Sequence, residues 1–351
     1  MTDTLLKITA VDGYPLEVML SVPDTAPEKL ILYVNSSGPN TYNIRRQKSD
    51  GSFYNYHDFL AREFTDRKIA YCRYSTRGVK DGGTAPFFVD IDDEQYKTYL
   101  PHNSVSDIEC IIQYIRTIYP DIMVYFLGWS EGTIISPLVA LNNNVKVDGL
   151  LLCGYCNENL LDTFVWQQNG NASIIFCRRY FDYDRKGYIT KSDFEEDRYH
   201  KKEAFFGDLT FEQIDIDGDG KLTAADFAPV CIEHMKSVLS AVERSDDEWL
   251  KNNHGVRLTS EWWKEHFSLE PNKNVLPRLD LPIHIFSGEY DYMTPLFHSK
   301  DIEQIFKKLG KTNLTVHYFD NDDHNLNFSE WVENGEMSEG MKCLFEIAES
   351  I

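Results

Sequence analysis

The sequence predicts an α/β fold in which a mostly parallel central sheet is flanked by helices and interrupted by one helical insertion. Apolar, β-branched runs alternate with helical patterns along most of the chain, which is typical of crossover units. The two opening runs are separated by Asp12-Gly13 and predict an antiparallel hairpin at one edge of the sheet. The alternation stops within residues 157–277, which are acidic and helical with Gly and Asp turns. We therefore expect a core of residues 1–156 and 278–351, with the insertion over the carboxyl ends of the strands.

Each predicted element rests on its own pattern. Strands are short runs rich in Val, Ile, Leu and aromatic residues, whereas helices carry apolar residues three and four positions apart, as at Val105, Ile108 and Ile112. The predicted strands are residues 5–9, 16–22, 30–34, 69–74, 123–127, 149–152, 282–286 and 314–319. The predicted helices of the core are residues 56–64, 102–118, 134–141, 299–309 and 337–348.

The net charge of the 351-residue chain is −21, because 56 Asp and Glu residues outnumber 35 Lys and Arg residues. This charge repels phosphate backbones and anionic lipids, so nucleic acid and membranes are not expected partners, whereas hard cations are. The chain opens without a basic segment followed by an apolar run and holds no bilayer-spanning apolar stretch. Its seven scattered cysteines favour reduced thiols and a cytoplasmic location. For the C-x-x-C pair Cys153 and Cys156, packing is favoured over a redox or metal role.

The segment GWSEG (128–132) has the form G-x-S-x-G and joins a predicted strand to a predicted helix. At a nucleophile elbow this turn is so sharp that its neighbours must be small, and the hydroxyl, here that of Ser130, projects above the end of the sheet. A hydroxyl is a poor nucleophile until an imidazole takes its proton and a carboxylate orients that imidazole. Because a serine in a turn is more often structural, the hypothesis depends on those two partners.

An acid and a base follow two later strands in the required order. Asp291 comes after the predicted strand 282–286, and His324 comes after the strand 314–319. In folds with a nucleophile elbow the chain order is serine, acid, histidine. We therefore predict a catalytic triad of Ser130, Asp291 and His324. The alternatives are that Asp291 caps the following helix and that the histidine is only a surface residue.

Two backbone N–H groups are predicted to form the oxyanion hole. One belongs to Glu131, directly after the nucleophile. The other lies in the loop NSSGP (35–39) after the third strand, where Ser37 is the chosen donor. An ordinary Ser-Gly-Pro turn is the alternative interpretation of that loop.

Together these motifs resemble the blocks of bacterial α/β-hydrolase esterases, which have the forms H-G-S-G-P, R-G-V-G and G-H-S-E-G. The corresponding segments here are NSSGP (35–39), STRGVKDGG (75–83) and GWSEGTIISPLVA (128–140). The later segments GEYDYMTP and DDHN are similar to the blocks that carry the acid and the base of that family.

The resemblance covers about residues 1–156 and 278–351. It implies an α/β-hydrolase fold and a carboxylic-ester hydrolase activity. It also implies that Ser130 is the nucleophile, Asp291 the acid and His324 the base.

The acidic segment DIDGDGKLTAAD (215–226) has the pattern of an EF-hand calcium loop. Acids stand at positions 1, 3, 5 and 12, Gly at position 6 and an apolar residue at position 8. Its last acid is Asp rather than the usual Glu, so magnesium is a second candidate beside calcium. The predicted ligands are the side chains of Asp215, Asp217, Asp219, Thr223 and Asp226 and the backbone carbonyl of Lys221.

A similar loop, DYDRKGYITKSD (182–193), precedes it and shares the tail pattern T-x-x-D-F. Lys186 stands at position 5, where a ligand oxygen belongs, and its charge opposes a cation. Metal binding is therefore left open in this loop, and both loops could be acidic turns that cap helices. The candidate ligands are Asp182, Asp184, Tyr188 and Asp193.

The sequence thus predicts a serine hydrolase that cleaves a small-molecule carboxylic ester or thioester through an acyl-enzyme, with calcium in the insertion and no organic cofactor. A serine peptidase or an acyltransferase on the same fold is one alternative. A calcium-binding interaction module on an inactive scaffold is another, since Asn35, Ser36 and Lys80 depart from the esterase blocks. For calcium, a structural role is favoured over control of the active site, because buffer-type EF-hands barely open.

Overall fold

The computed structural model describes residues 1–351. Its regular structure consists of fourteen strands, sixteen α-helices, a π-helical turn (Gln167–Asn171) and a 3-10 turn (Leu276–Arg278). The strands are β1 (Thr2–Thr9), β2 (Pro15–Val22), β3 (Lys29–Val34), β4 (Arg45–Gln47), β5 (Phe53–Asn55), β6 (Ala70–Tyr74), β7 (Val79–Asp81), β8 (Val89–Ile91), β9 (Met123–Trp129), β10 (Gly149–Cys153), β11 (Ile189–Thr190), β12 (Lys221–Leu222), β13 (Ile283–Tyr290) and β14 (Leu314–Asp323).

The helices begin after β5 and alternate with the later strands. They are α1 (Tyr56–Asp66), α2 (Asp93–Tyr96), α3 (Pro101–Ile118), α4 (Gly132–Asn142), α5 (Leu160–Trp166), α6 (Ala172–Phe181), α7 (Lys191–Glu196), α8 (Lys202–Phe206), α9 (Phe211–Ile214), α10 (Ala224–Glu243), α11 (Asp247–Asn253), α12 (Ser260–Ser268), α13 (Asn272–Val275), α14 (Leu296–Leu309), α15 (Phe328–Asn334) and α16 (Glu339–Ser350).

Eight strands form the central sheet in the order β1-β2-β6-β3-β9-β10-β13-β14. β2 pairs antiparallel with β1 and with β6, and every other neighbouring pair is parallel. The predicted mostly parallel sheet with an antiparallel hairpin at its edge is confirmed. The carboxyl ends of β3, β9, β10, β13 and β14 lie along one edge of the sheet, where ligand sites of open α/β sheets occur.

Helices cover both faces of this sheet and bury two apolar clusters against it. On one face α3, α4 and α14 contribute Ile111, Ile135 and Ile302. On the other face α1 and α16 contribute Phe64 and Phe345. Full burial of one such side chain stabilises the fold by roughly 1.5–3 kcal/mol. These two clusters fix the positions of the strands and therefore of the loops at their carboxyl ends.

Residues 157–277 add no strand to the central sheet and carry α5 to α13. One apolar cluster joins Trp262 and Trp263 of α12 to Tyr96 and Tyr99 of the core. A separate cluster of aromatic and aliphatic side chains lies among α6 to α9. β11 and β12, the middle strands of the two acidic loops, pair antiparallel with each other. The insertion thus has its own apolar interior and a second one that it shares with the core.

Several elements differ from their sequence-based expectation. β4–β5 and β7–β8 are hairpins of three-residue strands, too short for an alternation to show. α14 begins three residues earlier than expected, and β14 runs to Asp323, so His324 follows the strand directly. No helix combines the length and the apolar character that crossing a membrane requires. Cys153 and Cys156 are buried free thiols, and burial raises the pKa of Cys156 to about 12, which fits a packing role.

Candidate active site and calcium loop

Ser130 lies in the turn between β9 and α4, at the carboxyl end of a central strand. Its backbone φ is +54°, a left-handed conformation that costs a non-glycine residue on the order of 1 kcal/mol or more. Its N–H donates to the carbonyl of Cys153 at 2.9 Å, and its carbonyl accepts from the N–H of Thr133 at 2.8 Å. The strained turn is therefore held on both sides, as a nucleophile elbow requires.

The two glycines of GWSEG are required because backbones approach closely here. A Cβ on Gly128 would lie 2.5 Å from the carbonyl oxygen of Gly132. A Cβ on Gly132 would lie 2.2 Å from the carbonyl oxygen of Val34, at the end of β3. Neither oxygen can move without displacing a strand or a helix, so packing explains the spacing of the motif.

Asp291 and His324 lie just beyond β13 and β14 and form a buried pair. His324 Nδ1 is 2.8 Å from Asp291 Oδ1. The same oxygen accepts from the N–H groups of Met293 and Thr294, and the Thr294 hydroxyl donates to Oδ2 at 2.7 Å. Asp291 thus holds His324 Nδ1 and stabilises the turn before α14. The N-cap of α14 is Pro295, without a side-chain cap, so the interpretation of Asp291 as a helix cap is wrong.

The electrostatics of this pair favour the protonated imidazole. Burial alone opposes the charge on His324, but the Asp291 carboxylate and its hydrogen bond outweigh burial and raise the pKa of His324 above the ordinary value of 6.5. A general base that must hold a proton during acyl transfer needs this stabilisation.

Ser130 and His324 both contact the turn that follows β10. A Cβ on Gly154 would lie 2.5 Å from His324 Cε1. The carbonyl of the preceding residue, Cys153, accepts a hydrogen bond from the Ser130 N–H. Trp129 Nε1 donates to the carbonyl of His324 at 3.1 Å. No hydrogen bond joins Ser130 Oγ to the imidazole in this structure, and such bonds are often long in ligand-free enzymes.

The two predicted oxyanion donors lie beside the nucleophile. Ser37 and Glu131 line the same cavity as Ser130, and neither of their backbone N–H groups donates to another protein group. Gly38 has φ +100°, and a Cβ there would lie 2.8 Å from Val256 Cγ1 of the insertion. The NSSGP loop therefore needs glycine at this position, where the insertion covers it.

A cavity of about 410 Å³ opens next to Ser130, between the core and the insertion. Its wall is largely apolar and includes Ile134 from α4, Phe164 from α5 and Phe176 from α6. The volume fits a small, largely apolar molecule whose carbonyl lies near Ser130.

The side chain of Glu131 has contacts that sequence reasoning missed. Its buried carboxylate accepts from the Tyr99 hydroxyl, from Trp262 Nε1 at 3.1 Å and from His266 Nε2 at 2.8 Å. These bonds join α12 of the insertion to the residue after the nucleophile. The four-residue spacing of Trp262 and His266 places both on one face of a helix, but only the tertiary structure identifies their common partner.

The loop 215–226 brings three of its predicted ligands together. One carboxylate oxygen from each of Asp215, Asp217 and Asp219 lies within 4.8 Å of the others. Asp215 Oδ2 accepts from the Gly220 N–H at 2.9 Å, whereas Asp215 Oδ1 is buried without a hydrogen-bond partner. A buried, unpaired carboxylate oxygen within an acidic cluster fits a hard cation.

Asp226, the last predicted carboxylate ligand of this loop, lies outside that cluster. Asp226 accepts from the N–H of Ile216 at 3.0 Å and from the N–H of Thr223 at 2.7 Å, so it caps the start of α10. The Lys221 ammonium lies 4.8 Å from the ring centroid of Tyr188, across the pairing of β11 and β12. The second loop is thus packed against the first.

The loop 182–193 contains a cationic side chain of its own. Lys186 Nζ lies 2.8 Å from Asp193 Oδ2 and 3.5 Å from Asp184 Oδ2. The hydrogen bonds that Lys186 donates to Asp193 raise the pKa of Lys186. Burial acts to raise the pKa of Asp193, but these bonds outweigh burial and lower it. The ammonium therefore lies among the carboxylates that would otherwise bind a metal.

The first acid of this loop is also fully paired. Asp182 Oδ1 accepts from the Lys186 N–H at 2.7 Å, and Oδ2 accepts from the Gly187 N–H at 2.8 Å and from Arg178 Nε at 3.0 Å. The carboxylates of Asp182, Asp184 and Asp193, which with Tyr188 are the candidate ligands of this loop, thus do not form a cluster like that of Asp215, Asp217 and Asp219.

Two arginines of the insertion bind the segment that carries His324. Arg179 donates to Asp323 Oδ2 at 2.5 Å and to Asn327 Oδ1 at 2.9 Å. Arg185, within the loop 182–193, donates to Asn321 Oδ1 at 2.7 Å. Because Asp323 directly precedes His324, the EF-hand-like pair contacts the edge of the sheet that carries the candidate triad, which no local pattern predicts.

Solved structures with this architecture include bacterial esterases and a lipase. A highly thermostable carboxyl esterase from Bacillus coagulans has a TM-score of 0.55 at 13% identity, over 99% of this chain and 98% of that chain. A lipase in its open form has a TM-score of 0.55 at 14% identity, over 99% and 97%. An esterase from Exiguobacterium antarcticum has a TM-score of 0.50 at 13% identity, over 99% and 98%. At such identities the likeness shows the fold alone, and no curated protein matches the sequence.

A family model described as EF hand matches residues 206–228, which include the whole loop 215–226. The match confirms the predicted EF-hand within the insertion, and it does not extend to the loop 182–193. The chain therefore has the α/β-hydrolase fold, with an EF-hand segment carried by its helical insertion.

Proposed function

We propose that the protein is a serine hydrolase that cleaves small carboxylic esters or thioesters through an acyl-enzyme on Ser130. The observation that carries this proposal is the buried Asp291–His324 pair next to a serine in a strained strand-to-helix turn. The covered, largely apolar cavity beside Ser130 supports a small-molecule substrate over a peptide chain.

In the proposed reaction Ser130 Oγ attacks the substrate carbonyl carbon while His324 Nε2 takes the hydroxyl proton. The C=O electron pair moves to the oxygen, which the N–H groups of Glu131 and Ser37 stabilise. Asp291 holds the other imidazole nitrogen and stabilises the imidazolium. When the C=O bond re-forms, the alcohol or thiol leaves with the proton from His324. Water, activated by the same histidine, then releases the acid and restores Ser130.

The proposal assigns one calcium ion, with magnesium as the second candidate, to the loop 215–226. The unpaired Asp215 Oδ1 and the adjacent carboxylates of Asp217 and Asp219 fit such an ion. When bound, the ion supplies the positive charge that these carboxylates lack, and it stabilises the insertion. The remaining proposed ligands are the Lys221 carbonyl, Thr223 and Asp226.

The test is labelling of the purified protein by a fluorophosphonate probe, together with hydrolysis of p-nitrophenyl butyrate. We expect wild type to be labelled and active, and Ser130→Ala to lose both properties while it keeps its melting temperature. Ser237→Ala, an exposed serine on α10, serves as the matched control and is expected to behave like wild type. Absence of labelling in wild type, with and without calcium, would refute the proposal and favour a calcium-binding module on an inactive scaffold.

A further inference from the structure

The insertion contacts both segments that carry the proposed oxyanion donors. On one side α12 binds the side chain of Glu131. On the other side a Cβ on Gly38, the residue after Ser37, would lie 2.8 Å from Val256 Cγ1, so these segments pack directly against each other. One short stretch of the insertion, residues 256–266, therefore touches both halves of the proposed oxyanion hole.

The Glu131 N–H belongs to the same peptide group as the Ser130 carbonyl. That carbonyl accepts from the Thr133 N–H at 2.8 Å and from the Thr133 hydroxyl at 2.7 Å. Because a peptide group is planar, the N–H at its other end points in the opposite direction. The elbow thus holds the oxygen end of this peptide group, and a displacement of Glu131 by its side chain would tilt the N–H end.

The side chain of Glu131 is a buried carboxylate whose hydrogen-bond donors come mainly from the insertion. Its Oε1 accepts from Trp262 Nε1 at 3.1 Å and from His266 Nε2 at 2.8 Å, and its Oε2 accepts from the Tyr99 hydroxyl. A buried carboxylate without donors is costly, and hydrogen bonds to a charged acceptor are among the strong ones. Two of these three donors lie on α12, so the position of Glu131 depends on α12.

Further contacts hold this part of the insertion against the core. Asn272 Nδ2, in α13, donates to the carbonyls of Thr133 at 2.9 Å and Cys156 at 2.7 Å. Glu265, on α12, accepts from the N–H of His102 at 2.7 Å, and its other oxygen lies 2.8 Å from His102 Nδ1. The insertion is therefore attached to the core around the elbow, and its donors hold Glu131 in one place.

We infer that α12 positions the oxyanion hole, with Trp262 and His266 holding Glu131 so that its N–H points at the oxygen of the reacting carbonyl. This inference rests on the proposed ester hydrolysis and gives the insertion a part in the chemical step besides covering the cavity. Trp262 and His266 are positioning residues, since they act through Glu131. Because the oxyanion forms only in the transition state, loss of this role lowers kcat and leaves KM nearly unchanged.

The experiment measures kcat and KM for p-nitrophenyl butyrate in variants that each remove one donor. His266→Met and Trp262→Phe leave Glu131 Oε1 with a single donor, and we expect kcat to fall on the order of tenfold while KM stays nearly constant. His266→Gln keeps an N–H donor on its side chain and is expected to recover most of the loss. The matched control is His102→Met, which removes the exposed side-chain contact with Glu265 on the same helix and is expected to keep the wild-type kcat.

Inhibition by phenylethyl trifluoromethyl ketone gives a second measurement that does not depend on how much protein is folded. Ser130 Oγ adds to the carbonyl carbon, His324 takes the hydroxyl proton, and the C=O electron pair moves to the oxygen, which then lies in the oxyanion hole. Ki is expected to rise by about the same factor as kcat/KM falls, since both depend on that oxygen. Loss of folded protein lowers the number of sites labelled by fluorophosphonate and leaves Ki unchanged.

Three results would overturn the inference while Ser130 is still labelled. They are an unchanged kcat per labelled site in both His266→Met and Trp262→Phe, a fall in kcat with unchanged Ki, and a loss in His266→Gln as large as in His266→Met. If His266→Met does not fold, Trp262→Phe carries the same comparison, because phenylalanine keeps an aromatic ring there. Absence of labelling in wild type overturns the hydrolase proposal and this inference with it.

Discussion

Asp291 is a buried loop aspartate and Asp215 a half-buried one, and their surroundings differ in one decisive respect. Asp291 has each oxygen paired by protein donors, among them His324 and Thr294. Asp215 keeps one buried oxygen without a partner. The oxygens of Asp291 are therefore satisfied by the protein itself, whereas the proposed cation would complete the EF-hand loop. The core is expected to keep its geometry without metal, and the insertion is expected to lose stability.

The loop 182–193 is an intermediate case. Lys186 Nζ supplies the positive charge that Asp193 and Asp184 need, so the protein provides its own cation. The corresponding position in the second loop is Asp219, which adds a carboxylate instead. One residue at position 5 thus separates a self-sufficient loop from one that depends on an ion.

The largest expected effect concerns the complete site. Asp291→Asn is expected to lower kcat/KM by about ten-thousandfold, because the imidazole loses the group that fixes its tautomer and stabilises its charge. The calcium dependence of the melting temperature is expected to stay unchanged, since Asp291 lies outside the loop 215–226. Steady-state kinetics and thermal melts with calcium or chelator measure both. Asp320→Asn, an exposed aspartate of the same region, is the control.

The pH dependence of kcat/KM tests the same role of Asp291. His324 must be neutral to act as a base, and Asp291 raises its pKa, so the acidic limb of kcat/KM in wild type is expected above pH 6.5. In Asp291→Asn burial still lowers the pKa of His324 and only the smaller effect of the Asp323 charge opposes it, so the limb is expected to move to lower pH. A wild-type limb below pH 6.5 would contradict the assignment of Asp291 as the stabilising charge.

The next largest effect concerns the melting temperature and the proposed ion in the loop 215–226. Chelation, or Asp215→Asn, is expected to lower the melting temperature on the order of 5 °C relative to protein held at a calcium concentration about 100 times Kd. Hydrolysis well below melting is expected to persist, because the triad and its contacts lie in the core. Asp184→Asn, in the self-sufficient loop, is the matched control and is expected to keep the calcium shift. Loss of activity on chelation far below melting would indicate a regulatory ion instead.

The sequence predicts best what depends on spacing along the chain. Strand–helix alternation predicts the sheet, and the order of Ser130, Asp291 and His324 after strands predicts which residues meet at its carboxyl edge. The EF-hand is predicted for the same reason, because all its ligands lie within twelve consecutive positions.

The sequence does not predict contacts between segments that are distant along the chain. Glu131 looks like an ordinary member of its motif until Tyr99 and His266 are found on its carboxylate. Arg179 likewise carries no signal in its own segment, because its partner Asp323 lies 144 positions away. Such pairs depend on how the insertion lies on the core, which no periodicity encodes.

A smaller effect is expected when the loop 182–193 is given the acidic pattern of the loop 215–226. Lys186→Asp places a carboxylate at position 5, as in the second loop, and is expected to raise the calcium stoichiometry from one to two ions per chain in isothermal titration calorimetry. Without calcium the variant is expected to lose only about 0–1 kcal/mol, because the Lys186 side chain is 25% exposed and its ion pairs are partly screened. Lys191→Asp, in the same loop but outside the ligand positions, is expected to leave the stoichiometry at one. Two ions in wild type would contradict the role of Lys186 as the internal cation.

The smallest expected effect lies where the two regions meet. Arg179→Met removes the hydrogen bonds to Asp323 and Asn327, and the insertion then holds the segment before His324 only through Arg185. Because a slight misplacement of a catalytic group slows the reaction, we expect kcat to fall by a factor of about 2–5 while the melting temperature changes little.

Asp323 also raises the pKa of His324, and without the neutralising Arg179 the acidic limb of kcat/KM is expected to shift to slightly higher pH. Arg198→Met, an arginine of the insertion that does not contact this segment, is the control. A fall in melting temperature that accounts for the whole loss of activity would make the contact a packing contact only; a loss of kcat with the pH shift and unchanged melting would show that the insertion positions the catalytic histidine.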